Sequence, residues 1–236
     1  MRFDSLGSSR NPLNLTNRGD PMSGPNAPSK LYLVIEAGPT AADRLATALA
    51  TVTPSTVCIA PAAGKPLDAE AVLGLIKLAQ AKDIAVLLAD DAQLARVTKA
   101  DGVHLTWSKD IAARASEARE ILGNRFILGV DVGRSRHDAM ELGETSVDYI
   151  AFGIPEHVED RATATERRLE LCDWWAEIFE VPCVAFDVDD LDDAADLADV
   201  GTDFIAIRLP SAVTGADLAA FLAAAAAAVT IEATAA

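Results

Sequence analysis

The sequence predicts an α/β chain folded as a closed (β/α)8 TIM barrel behind a disordered N-terminal tail. Three observations predict it. Eight short apolar runs rich in Val, Ile and Leu recur along the chain, and none alternates polar with apolar, so both faces of each strand are covered as in a parallel sheet. Segments with helical spacing of apolar residues lie between the runs, so strand and helix alternate throughout. The rival open, doubly wound sheet calls for a glycine-rich turn after its first strand, and here that turn reads Glu36-Ala37-Gly38-Pro39, with no GxGxxG.

Residues 1–30 lack periodicity and are broken by Asn11-Pro12, Asp20-Pro21, Gly24-Pro25 and Ala27-Pro28; a stretch of this kind is expected as a disordered tail, with Met22 an alternative start to Met1. The barrel is expected over 31–236. Strand 31–35 opens it, and helix 41–51 follows. Next come strand 56–60 with helix 68–82, whose stripe is Leu67, Val72, Leu75, Ile76 and Ala79. Strand 84–88 leads to helix 92–98, strand 102–105 to helix 111–122, and strand 126–130 to helix 135–143. The last units pair 149–152 with 165–179, 182–186 with 191–198, and 204–207 with 216–229. Trp174 and Trp175 are adjacent on the sixth helix and cannot both face the core, so one should reach a neighbouring helix or a subunit interface.

Composition narrows the function. The 236 residues carry 20 Lys and Arg against 36 Asp and Glu, a formal net charge of −16, which argues against binding phosphate backbones or anionic lipid. Cys58, Cys172 and Cys183 are odd in number and far apart, with no CxxC, and read as buried thiols. No apolar run approaches the roughly 20 residues that span a bilayer, and the N-terminus has no secretory apolar core. A cytoplasmic protein with a small-molecule partner, no nucleic acid and no membrane is the expectation.

In such a barrel the chemistry sits at the C-terminal ends of the strands. Those positions read Glu36, Ala60-Pro61, Asp90-Asp91, Thr106-Trp107, Asp131, Pro155-Glu156-His157, Asp187 and Arg208. Converging carboxylates suit a hard metal such as Mg²⁺; equally, Asp90-Asp91 and Asp189-Asp190 each open a helix, where Asp caps. A phosphate at the seventh-strand corner is disfavoured by Asp187, Asp189, Asp190, Asp192 and Asp193, with no Lys or Arg between Arg168 and Arg208. Each carboxylate roughly 5 Å from a phosphate charge costs about 3 kcal/mol at an effective dielectric of about 20. His104, ending a strand, is either a structural or a ligand-binding residue, and Trp107 stands beside the presumed site.

Four segments in order, Leu31-Tyr32-Leu33-Val34, Asp101-Gly102-Val103-His104-Leu105, Ala118-Arg119 with Ile127-Leu128-Gly129-Val130, and Asp148-Tyr149-Ile150-Ala151-Phe152-Gly153, resemble the thiamine phosphate synthase and thiazole tautomerase family over roughly residues 31–210. The resemblance implies the barrel, a transferase that joins a pyrimidine pyrophosphate to a thiazole phosphate with Mg²⁺, and a homodimer. It places metal ligands at Asp90, from the family's Asn-Asp pair, and at Asp110, one residue late after His104-Leu105. Elsewhere the chain departs. The family's Gln-x-Arg-x-Lys falls on Cys58-Ile59-Ala60-Pro61-Ala62, and its Gly-x-Ser on Gly129-Val130-Asp131. Its Thr-x-Thr-Lys falls on Val158, Asp160 and Arg161, its Gly-Gly on Asp187-Val188, and the tautomerase histidine on Gly133, with His137 four residues on. Positions that hold anionic substrate have become apolar or acidic. The expected protein is a divergent member that binds a small heterocycle, with ligand contacts at His104, Trp107, Asp131, Arg161, Asp187 and Arg208. The alternatives are an active synthase using Asp90, Asp110 and Arg161 in a rearranged site, or another metal-dependent barrel enzyme. No catalytic residue is assigned.

Overall fold

The structure, a computed structural model, describes residues 28–155 and 157–230. Strands and helices alternate as β1 (Lys30–Glu36), α1 (Ala41–Thr51), β2 (Thr56–Ala60), α2 (Ala69–Gln80), β3 (Ala85–Ala89), α3 (Ala92–Thr98), β4 (Gly102–Leu105), α4 (Ile111–Leu122), β5 (Ile127–Asp131), α5 (Arg136–Gly143), β6 (Tyr149–Phe152), α6 (Arg161–Ile178), β7 (Cys183–Ala185), α7 (Leu191–Asp199), β8 (Phe204–Arg208) and α8 (Gly215–Val229). The strands form one closed barrel in chain order, all neighbours parallel, with β1 pairing to both β2 and β8. This is the (β/α)8 architecture that the alternating pattern requires.

Two apolar layers account for strands without polar alternation. Tyr32, Cys58, Leu87, Tyr149, Val184 and Phe186 form a cluster inside the barrel. Their neighbours along the strands, such as Leu33, Val57, Leu88, Ile150, Cys183 and Ile205, pack outward against the helices. The helices bury their stripes as spaced, with Val72, Leu75, Ile76 and Ala79 on α2. Asp68, Asp91, Ser135, Asp160 and Asp190 cap α2, α3, α5, α6 and α7 by accepting from an amide three residues on. Trp175 is buried against Phe152 and Phe179, while Trp174 lies under the Arg136 guanidinium of α5, 4.7 Å from its ring centre. All three cysteines are buried and unbridged.

Boundaries shift by up to four residues from expectation, and two of the shifts have a visible cause. The tail was expected through residue 30, yet β1 starts at Lys30, whose amide donates to the Asp203 carbonyl, and the Ser29 hydroxyl donates to the Thr202 carbonyl. Residues 1–27, Met22 included, lie outside the described residues. Helix α6 begins at Arg161 rather than 165, because Asp160 caps it through the Thr163 amide and its first turn is too polar to show a periodic stripe.

The floor of the barrel repeats one device. Asp101, Asp148 and Asp203 stand just before β4, β6 and β8, and each carboxylate accepts from an amide of the preceding strand, at Val86, Leu128 and Cys183. A slip of one residue would break each bond, so these aspartates pin the register. No described helix is long and apolar enough to cross a membrane.

Candidate functional site at the barrel mouth

The C-terminal ends of the strands bring Asp131 and Asp187 to either side of Gly153. A Cβ on residue 153 would stand 2.4 Å from Asp131 Oδ2 and 3.0 Å from Asp187 Oδ2, so the gap between the two carboxyl groups exists only because residue 153 is glycine. Asp131, the last residue of β5, accepts at Oδ1 from the amides of Gly133 (2.7 Å) and Gly153 (3.1 Å). Asp187 lies two residues past β7 in the left-handed region (φ 56°), and its Oδ2 accepts from the Ile154 amide at 2.9 Å. Burial pushes the Asp131 carboxyl up to about 7, with the neighbouring Asp187 and Asp90 charges adding to it against the two amide donors. Asp131 therefore takes up or releases a proton near neutrality, and two neighbouring carboxyl groups suit N–H donors better than anions.

Trp107 closes one side, with its ring against the Gly133 turn and 5.3 Å from the His157 ring. His104 lies deeper, inside the barrel and 1% exposed. Its Nδ1 shares a hydrogen bond with the Tyr149 hydroxyl at 2.9 Å, which in turn meets the Tyr32 hydroxyl at 3.1 Å, and its ring stacks on Phe186 at 4.2 Å. Burial lowers its pKa to about 4, so the ring is neutral at pH 7, and Nε2 has no partner among the described residues. Tyr149 fits there because Gly129 leaves room: a Cβ at 129 would lie 1.8 Å from its ring.

Of the other residues singled out from sequence, Arg161 binds Asp189 at 2.8 Å and Arg208 leans on Glu36 at 3.4 Å, both at the exposed rim. Asp110 is the exposed residue before α4 and makes no capping bond with its side chain. Glu156 lies outside the described residues. His137 is exposed near the start of α5; with Asp138 and Glu141 it forms the one trio of metal-type ligands among the described residues, which includes neither Asp90 nor Asp110.

Asp90 is not an open metal ligand. Its Oδ1 accepts from the Thr106 amide (2.8 Å) and Arg114 Nη2 (2.6 Å), and its Oδ2 from the Thr106 hydroxyl (2.7 Å). A divalent ion about 5 Å from that guanidinium would be opposed by roughly 2 kcal/mol in a water-like medium and about 7 kcal/mol at an effective dielectric of about 20. The residues present do not fit Mg²⁺ at this position.

Arginines are what sequence reasoning missed. Arg168, fully buried on α6, grips Asp193 with Nη2 and donates through Nη1 to the carbonyls of Phe186 and Asp187, 2.7 Å each, fixing the turn that carries Asp187. Arg44 on α1 does the same for the carbonyls of Glu36, Leu209 and Pro210. The signal was present: each arginine sits on its helix's apolar stripe, Arg44 with Ala41, Leu45 and Ala48, Arg168 with Ala164, Leu171 and Cys172. The corner read from sequence as lacking cations thus receives Arg161 and Arg168 from α6, both already paired with carboxylates.

A family model described as thiamine monophosphate synthase matches residues 31–209. Among curated relatives, the thiamine-phosphate synthase of Erythrobacter litoralis is 41% identical over 129 residues, covering 54% of this chain and 59% of that protein. That of Rhodospirillum centenum is 39% identical over 130 residues, covering 55% and 61%. The chain thus spans about three fifths of these relatives' length. Among solved structures, thiamine phosphate pyrophosphorylase from Pyrococcus furiosus superposes with a TM-score of 0.67 at 24% identity, over 85% of this chain and 95% of that one. Tryptophan synthase from M. tuberculosis reaches 0.70 at 13% identity, over 92% and 99%. These two likenesses are of fold alone.

Proposed function

Because the chain belongs to the thiamine monophosphate synthase family, we propose that its barrel mouth binds a small heterocycle of the kind that family handles, held through N–H donors by Asp131 and Asp187 rather than through a pyrophosphate. The observation that carries this reading is the buried Asp131 carboxyl with a pKa of about 7, facing Asp187 across Gly153. An amino group or a protonated ring nitrogen entering that gap would be charge-assisted by both acids, whereas a diphosphate would meet two carboxylates. Trp107 and His157 supply flat rings for the face of such a ligand. Calorimetry against thiamine, the thiazole alcohol and their phosphates tests it. The unphosphorylated forms should bind at least as tightly, and Asp131→Ser should weaken them tenfold or more; uniformly tighter binding of the phosphorylated forms overturns the reading.

The relatives' names favour a second reading, synthase turnover in a rearranged site. A coupled assay with the pyrimidine pyrophosphate, the thiazole phosphate and Mg²⁺ decides it: turnover abolished by Asp90→Ala supports it, and none at high enzyme concentration ends it. A cytoplasmic place of work and a homodimer belong to the same proposal, and light scattering of the full chain reads the latter.

A further inference from the structure

We infer that Arg114 occupies the place of a divalent cation at Asp90, so that this mouth holds its own fixed positive charge and needs no metal there. The guanidinium rises from α4 and reaches three groups: Asp90 Oδ1 at 2.6 Å, the Thr106 carbonyl at 3.0 Å and the Ser108 hydroxyl at 3.0 Å. Thr106 completes the clasp from its own side, with its amide on Oδ1 and its hydroxyl on Oδ2. Asp90 itself is held in the left-handed region (φ 61°), a conformation a non-glycine residue keeps only when its surroundings demand it. Three donors therefore fill most of the carboxylate's acceptor capacity. Access is not what keeps a cation out, since about a third of the Asp90 side chain is exposed. The bar is electrostatic and geometric: an always-charged fork already neutralises the anion, and a hard cation would have to displace it or share the oxygen with it. The inference does not depend on which molecule the mouth receives.

The probe is Mn²⁺ alone, followed by the loss of its free-ion electron paramagnetic resonance signal on adding the full chain. The wild type and Asp90→Asn should take up equal amounts, any uptake at the His137 trio being common to both. Arg114→Met should bind at least tenfold more at the same Mn²⁺ concentration, and adding Asp90→Asn should abolish the gain. If circular dichroism shows that Arg114→Met does not fold, Arg114→Gln, which keeps a donor toward the Thr106 carbonyl but no charge, takes its place. Uptake by the wild type that Asp90→Asn lowers overturns the inference, as does the absence of any Asp90-dependent gain in a folded Arg114 variant. Should neither variant fold, the comparison of wild type with Asp90→Asn still decides.

Discussion

Asp131 shows how one buried group sets stability and, under the proposed function, ligand binding. Its folded pKa of about 7 lies above the ordinary carboxylate range, so the folded state holds the proton more tightly than the unfolded chain does. Its stabilising contribution is complete below about pH 4 and is lost as the pH rises through 7, at a cost of about 4 kcal/mol for full ionisation. Asp131→Asn should therefore stabilise the protein. Both amide donors meet Oδ1, which the asparagine carbonyl replaces, and the new NH2 group would face Asp187 Oδ2. Thermal unfolding should show the variant melting several degrees above wild type at pH 8, with the difference shrinking toward pH 4; a lower melting temperature at pH 8 would mean that the carboxylate is solvated. The same variant should bind the heterocycle more weakly, a stability gain made at the expense of function. The sequence put Asp131, Asp187 and Trp107 at one end of the barrel correctly, since strand ends are countable. It could not show that Gly153 leaves the gap between the two acids, because that depends on which way each side chain turns.

The elements were legible for a simpler reason. Apolar runs and helical stripes record burial directly, and α1, α3 and α4 begin and end where their periodicity does. What escaped is lateral: arginines that leave one helix to hold the loop ends of neighbouring strands. Arg168 is the strongest case, since it has no exposure and serves Asp193 and two carbonyls at once. Arg168→Met should cost about 3–5 kcal/mol in urea unfolding, because it strands a buried carboxylate. Arg168→Met combined with Asp193→Leu should recover part of that loss. Equal destabilisation in the single and double variants would show that the two carbonyls, not the ion pair, carry the energy.

At the scale of the whole molecule, charge and covering are separate matters. With a net charge of −16 the surface repels itself, and the rim pairs Arg161–Asp189 and Arg208–Glu36 are too exposed to offset that. Raising salt from about 0.05 to 0.5 M should raise the melting temperature by a few degrees as repulsion is screened; a fall would mean that attractive pairs dominate. The aspartates before β4, β6 and β8 carry a different lesson. Two of them, Asp101 and Asp148, open the segments by which the chain is most readily recognised, yet both are masonry, set at the end of the barrel opposite the mouth. Ancestry is written in the foundations and chemistry in the roof, so lineage stays legible whatever tenant the upper storey takes.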